Sequence, residues 1–204
     1  MGNGFAQVPV SGEPKGPTSP LELAAKLKAV TVQEATTKAS HVVASDTAKS
    51  LGLSGTQAAK TAPILENILN LSLREKQGQV VTPELNRNLS ELKTILGLEM
   101  TERLLSGMRV FADSFQQAID QTLKIKNEKD FNRALDELER VTEGAGRLVG
   151  DYAAGRIRTL DDFRMGVAGL FNNSQMFQSL HIVISFQDHL STMPSALVGT
   201  LAGE

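Results

Sequence analysis

The sequence predicts an all-α protein: a helical bundle with a central antiparallel helical hairpin, behind a flexible N-terminal leader. Three observations carry this. Apolar residues recur every three or four positions over much of the chain, the spacing of one buried helix face. Helix-start signals recur, as in Ser19-Pro20-Leu21-Glu22 and Thr82-Pro83-Glu84. Aromatic residues make up only 4% of the chain, with one Tyr and no Trp, so a core has to be closed mainly by Leu, Ile, Val and Ala.

Residues 1–19 form the leader. The stretch holds Gly2, Gly4, Gly12, Gly16, Pro9, Pro14 and Pro17, and buries too little apolar surface to offset the entropy of ordering its backbone. It lacks the apolar core of a classical signal peptide. Met1-Gly2-Asn3 resembles an N-myristoylation start, but position 6 is Ala where that signal needs Ser or Thr.

Residues 20–97 form an N-terminal helical region. Ser19 caps a first helix, Pro20 takes its first position and Glu22 closes a capping box; this helix runs towards Val30. Thr31–Ser50, rich in Ala, Thr and Ser, reads as further helix with weak periodicity, broken by Gly52 and Gly55. A second helix runs from about Thr56 to Lys76 on the stripe Ile64, Leu65, Ile68, Leu69 and Leu73. Pro63 predicts either a kink in it or its true first turn. A third begins at Thr82-Pro83-Glu84, with Thr82 as its cap, and carries Leu85, Leu89, Leu92, Ile95 and Leu96 up to Gly97.

Residues 98–204 contain the hairpin and a C-terminal assembly segment. One seam runs through Leu104, Met108, Phe111, Phe115, Ile119 and Thr122. The charged loop Lys126–Asp130 follows, then a second seam through Phe131, Leu135, Leu138, Val141 or Thr142, Ala145, Leu148 and Tyr152. Two stripes joined by a short polar turn predict antiparallel neighbours. Six glycines between Gly144 and Gly169 predict close backbone contacts or hinges, because glycine costs about 1 kcal/mol per helical position relative to Ala. Thr159-Leu160-Asp161-Asp162 reads as a cap with acidic first-turn residues. A terminal element spans about Gln175–Leu190. Within it His181–Phe186 alternates with period two like a strand, while its helical neighbours favour a helix; as a strand it has no evident partner in its own chain and would pair between subunits.

Composition narrows the function. A net charge of −2 argues against general nucleic-acid binding, which needs a basic field, and against strong binding to anionic membranes. With no cysteine there is no disulfide, thiolate nucleophile or Cys metal site. No apolar run is long enough to span a bilayer. His181 and His189 are eight residues apart, too far for joint ligation from one helix, and no metal or cofactor is expected. Asp188-His189 resembles half a relay, yet adjacent helical residues point in different directions. Gly144–Gly150 spells GxGxxxG rather than GxGxxG and sits inside a helical seam, not after a strand. The pairs Asp136-Glu137 and Asp161-Asp162 read as solvent-facing and dipole-favouring residues, with no partner for acid–base work.

The candidate partner-binding residues are Arg147, Arg156, Arg158 and Arg164, with Phe177 and Phe186 of the terminal element. With Asp151, Asp161 and Asp162 nearby, the arginines read either as a salt-bridged solvated face or as a docking patch for an acidic partner surface. The expectation is a non-enzymatic structural or interaction protein that binds a protein partner or itself. The alternatives are a secreted effector that binds a host regulatory protein through Gly144–Arg164, and an enzyme whose catalytic groups are scattered over several helices.

One resemblance refines this. Phe115-Gln116-Gln117-Ala118-Ile119-Asp120 starts a stretch in which Tyr152-Ala153-Ala154-Gly155 precedes Leu160-Asp161-Asp162, followed by Phe177, Val183, Phe186-Gln187 and Leu190. Over about residues 111–193 this order resembles the rod-base adaptor of bacterial flagella and the inner-rod proteins of type III secretion systems. The resemblance implies a polymerising C-terminal helix and a protein that is cytoplasmic before export by a signal-peptide-independent route. The greater length, the helical N-terminal half and Pro194 depart from that pattern.

Overall fold

A computed structural model describes residues 19–186; residues 1–18 of the leader and the residues from Gln187 onward, including His189 and Pro194, lie outside the described residues. The described chain forms seven helices: α1 Pro20–Ser50, α2 Gly55–Lys76, α3 Thr82–Leu96, α4 Leu98–Leu123, α5 Glu128–Ala153, α6 Leu160–Asn172 and α7 Gln175–Ser179.

Helix α1 begins as expected, with Ser19 and Glu22 closing a capping box over Pro20. It is one helix of 31 residues, the weakly periodic Thr31–Ser50 stretch continuing the first segment without a break. Its central face is unusual in being built of small residues: Ala35, Ala39, Ser40, Ala44, Thr47 and Ala48 are buried beside Val32 and Val43. Such a face allows a neighbouring helix to approach closely. Residues 20–27 are exposed throughout, and Lys28 makes the first anchor, donating to the Ile125 carbonyl at 2.7 Å above the Phe131 ring.

The neighbour is α5, which runs parallel to α1. Lys38 pairs with Glu139, Thr47 donates to the Gly146 carbonyl at 3.0 Å, and Ser50 donates to Asp151 at 2.8 Å. Gly146 and Gly150 lie at this contact. A Cβ on Gly146 would stand 2.6 Å from the Val43 carbonyl oxygen, and one on Gly150 would stand 2.5 Å from the Ser50 Cβ. Gly144 meets Leu170 of α6 at 2.9 Å in the same sense. These glycines therefore mark close contacts inside regular helices and are not hinges. Gly155, with φ 77°, instead turns the chain out of α5.

Helices α1, α2, α4 and α5 form a ring of four, α1 touching α2 and α5, and α4 touching the same two. The predicted hairpin of α4 and α5 supplies half of it. Its seam residues Leu104, Met108, Phe111, Phe115, Ile119 and Thr122 are buried, as are Phe131, Leu135, Leu138, Ala145 and Tyr152. Leu148 is only half-buried; the seam shifts to Val149 because α5 must face α1 as well as α4. One core thus spans residues from both sides of Gly97.

Helix α2 runs where expected and Pro63 is not its first turn, while the cap expected for α3 needs correction. Helix α2 starts at a capping box of Ser54 and Gln57, and Pro63 sits inside it on the exposed face, where the carbonyl it leaves unpaired can meet water. Thr82 is not the cap of α3: Val81 precedes the first helical residue and offers no side-chain cap. Helix α3 packs outside the ring against α2 and α4, and α6 and α7 pack outside it on the other side, against α5. Phe163, Phe171 and Phe177 are fully buried there, Phe163 stacked on Tyr152 and Phe171 on Phe177.

Candidate functional site

The terminal element departs most from expectation. Only Gln175–Ser179 of it is helix, and among the described residues 182–186 are neither helix nor paired strand. Helix α7 ends at Ser179, and residues 182–186 run extended across the outside of the bundle. Side chains alternate as the period-two pattern requires: Ile182 and Ile184 are 2% and 3% exposed, whereas Val183 is 59% exposed.

Three amide side chains hold this backbone. The Gln121 amide donates to the Val183 carbonyl at 2.8 Å and accepts from the Val183 N–H at 3.0 Å. Asn172 does the same for Ile184, at 3.0 and 2.9 Å. Gln117 does so for Ser185, at 3.0 and 3.1 Å. Gln117 and Gln121 lie on α4 and Asn172 ends α6. Four helical residues rise about 6 Å, close to the roughly 6.6 Å spanned by two residues of a strand. Glutamines at i and i+4 therefore match alternate residues of an extended chain. In such a chain the N–H and C=O of one residue point to the same side and those of the next residue to the other, so the asparagine meets the intervening Ile184. The clamp replaces a strand edge with side chains, and this is the partner the segment lacked in the sequence reading.

Beyond the clamp lies an open cleft of about 430 Å³, lined by Lys76, Asp113, Asp120, Arg164, Ser185 and Phe186 among others. Charges of both signs line it, without histidine among the described residues. His41, on the far side of α1, contacts Glu66 at 2.9 Å. His181 lies in the turn before the extended segment with φ 58°, the one non-glycine residue of positive φ among the described residues. No group of three His, Asp or Glu side chains is arranged to hold a metal ion among the described residues. Nor is any described helix long and apolar enough to cross a membrane.

The arginines do not form one patch. Arg156 is tied to Asp151 at 2.8 Å and to the Ser50 hydroxyl at 3.0 Å, joining the end of α5 to the end of α1. Arg147 is exposed and reaches Asp151 at 3.8 Å. Burial raises the Asp151 carboxyl, but hydrogen bonds from Arg156 and Ser50 and the charges of Arg156 and Arg147 outweigh it and hold the carboxyl below its ordinary value. Arg158 is exposed in the α5–α6 turn, and Arg164 pairs with Asp161 at 3.3 Å beside the cleft. Phe177 is buried in the core and offers no surface to a partner; Phe186 is half-buried at the cleft. Of the six candidates, Arg147 and Arg156 meet at Asp151, and Arg164 and Phe186 meet at the cleft; the two pairs are separate.

Two other side chains, Arg103 and Glu137, hold the structure in ways their sequence context does not suggest. Arg103 donates to the Tyr152 carbonyl at 2.8 Å and to the Ile157 carbonyl at 2.6 Å, with its guanidinium 4.4 Å from the Tyr152 ring centre, so it fixes the α5–α6 turn. Glu137, read as solvent-facing, is half-buried. A two-pronged bond to Arg140 lowers its carboxyl pKa, partly opposed by burial and helped by a hydrogen bond from Ser174, the cap of α7.

Compared with known protein families, curated proteins and solved structures, the chain matches none.

Proposed function

We propose that this is a non-enzymatic interaction protein that works by binding a protein partner or another copy of itself. One observation carries the reading: the seam between α4 and α6 is equipped to hold extended main chain. Gln117, Gln121 and Asn172 each offer both a donor and an acceptor, to the C=O and N–H of one residue of the segment. Groups that read backbone supply affinity, and pockets for alternate side chains supply selectivity, as in strand addition to a sheet edge. Here Ile182 and Ile184 occupy such pockets. Light scattering across a concentration series, paired with a pull-down by the full chain, tests the reading. Self-association or a specific partner is expected; a strict monomer with no partner overturns it.

A component or substrate of a type III-like secretion or flagellar apparatus is a narrower form of the same reading. The order of residues 111–193 supports it, and Tyr152–Asp162 has the turn and capped helix start on which the resemblance rests. The helix expected to carry Val183 and Phe186 is absent, since those residues are extended. The discriminating test is export of a tagged chain by cells with and without such an apparatus; apparatus-independent export, or none, rejects it.

A further inference from the structure

We propose that the α4/α6 groove accepts residues 182–186 of a second copy, so that copies assemble by exchanging this segment. The proposal rests on the interaction reading above and names the partner.

The occupant follows from complementarity. The sequence known to fit the groove is the chain's own, and every copy carries it. All six main-chain bonds at Val183, Ile184 and Ser185 run to side chains of α4 and α6, not to the segment's own neighbours. The same bonds therefore form whether the segment arrives from its own chain or from another. Only Leu180 and His181 separate the end of α7 from Ile182. His181 is held in the left-handed region at φ 58°, which residues other than glycine enter only at a cost in backbone strain. Extending that turn releases this strain and swings the segment outward, while the buried Phe177 keeps α7 in place. Short connections under strain are where such exchange begins.

Two full-length variants test the exchange directly. Ile182→Asp with Ile184→Asp spoils the segment and leaves the groove intact. Gln117→Ala with Gln121→Ala and Asn172→Ala spoils the groove and leaves the segment intact. Each alone is expected to stay monomeric, and mixing them is expected to give a 1:1 complex of about twice the 21.9 kDa chain mass by light scattering. Failure to form that complex, with both variants retaining the wild-type helical circular-dichroism signal, overturns the proposal.

If either variant loses helicity, the wild-type chain decides. A fluorescent peptide of residues 180–186 is expected to bind saturably and to be displaced by unlabelled peptide, but not by the peptide carrying Ile182→Asp and Ile184→Asp. Absence of saturable binding then overturns the proposal. The outcomes separate from those of the broader reading. Wild-type association or partner capture with no complementation leaves the interaction reading standing and removes the exchange.

Discussion

Gly146 offers the sharpest test of how α1 and α5 are held together. Replacing a helical glycine by alanine ordinarily stabilises a helix, by about 1 kcal/mol. In Gly146→Ala the new methyl would stand 2.6 Å from the Val43 carbonyl oxygen, 2.8 Å from the Asp46 Cβ and 3.1 Å from the Thr47 nitrogen. Two of these are backbone atoms, so no side-chain rotation relieves the clash. Relief requires α1 and α5 to separate by roughly 0.7 Å, a gap that forfeits a quarter to a half of each affected dispersion contact. Overpacking of this kind costs about 3 kcal/mol at its upper end. Set against the propensity gain, the net is about 2 kcal/mol of destabilisation, or roughly 4–8 °C in Tm for a chain of this size. Gly169→Ala is the matched control. Its methyl would meet only the Asn173 amide at 3.6 Å, an ordinary contact, so its Tm should rise. Thermal unfolding followed by circular dichroism reads both. A Tm for Gly146→Ala at or above wild type, beside a rise for Gly169→Ala, would show that propensity alone governs and that the close α1–α5 contact is wrong.

Three further outcomes are expected. Arg103→Ala should cost about 2–3 kcal/mol in urea unfolding, since it removes two bonds from a charged donor to the Tyr152 and Ile157 carbonyls. Arg103→Lys should recover less than half, because an ammonium cannot span both carbonyls and lie over the ring. Asp151→Asn should lower the unfolding midpoint at pH 7. The Asp151 carboxyl is held below its ordinary value when folded, so its contribution is present above about pH 4 and is lost as the pH falls through the lowered value; the gap between wild type and variant should close on acidification. Ser54→Ala should destabilise by about 1 kcal/mol by thermal unfolding, whereas Ser54→Gly should cost only a few tenths, as expected of an N-cap.

The helices were legible in the sequence because their signals are local. Ser19-Pro20-Leu21-Glu22 and Thr159–Asp162 form the caps their spelling predicts, and the α4 seam is buried as its spacing predicts. The break at Gly52 falls where its spelling predicts, and the Ser54–Gln57 box beside it is equally local. Helix α1 was hard to read. Its buried face is small because α5 comes so near, and a face of Ala, Ser and Thr gives little contrast in hydropathy. The cause of its weak pattern lies about a hundred residues further along the chain, at Gly146 and Gly150. The arginines misled in the opposite sense. They cluster in sequence, yet the α5–α6 turn sends Arg156 towards Ser50 of α1 and Arg164 towards the cleft.

The clamped segment shows why a strand pattern can persist in a helical chain. Ile182, Ile184 and the exposed Val183 encode an extended backbone, and that local preference is obeyed. A strand alone on a helical surface would leave its N–H and C=O groups without partners, at a cost of about 1–3 kcal/mol for each one buried. Gln117, Gln121 and Asn172 supply those partners, because an amide side chain carries both a donor and an acceptor. Nothing in residues 181–186 reveals this. The two glutamines lie more than sixty residues away and resemble ordinary exposed helix residues, and Asn172 resembles a helix-ending polar residue. What identifies them is joint geometry: two amides one helical turn apart on α4 facing a third at the end of α6, set to the repeat of an extended chain. The pattern in the segment specifies its conformation, and the amides on the helices decide where that conformation can be accommodated.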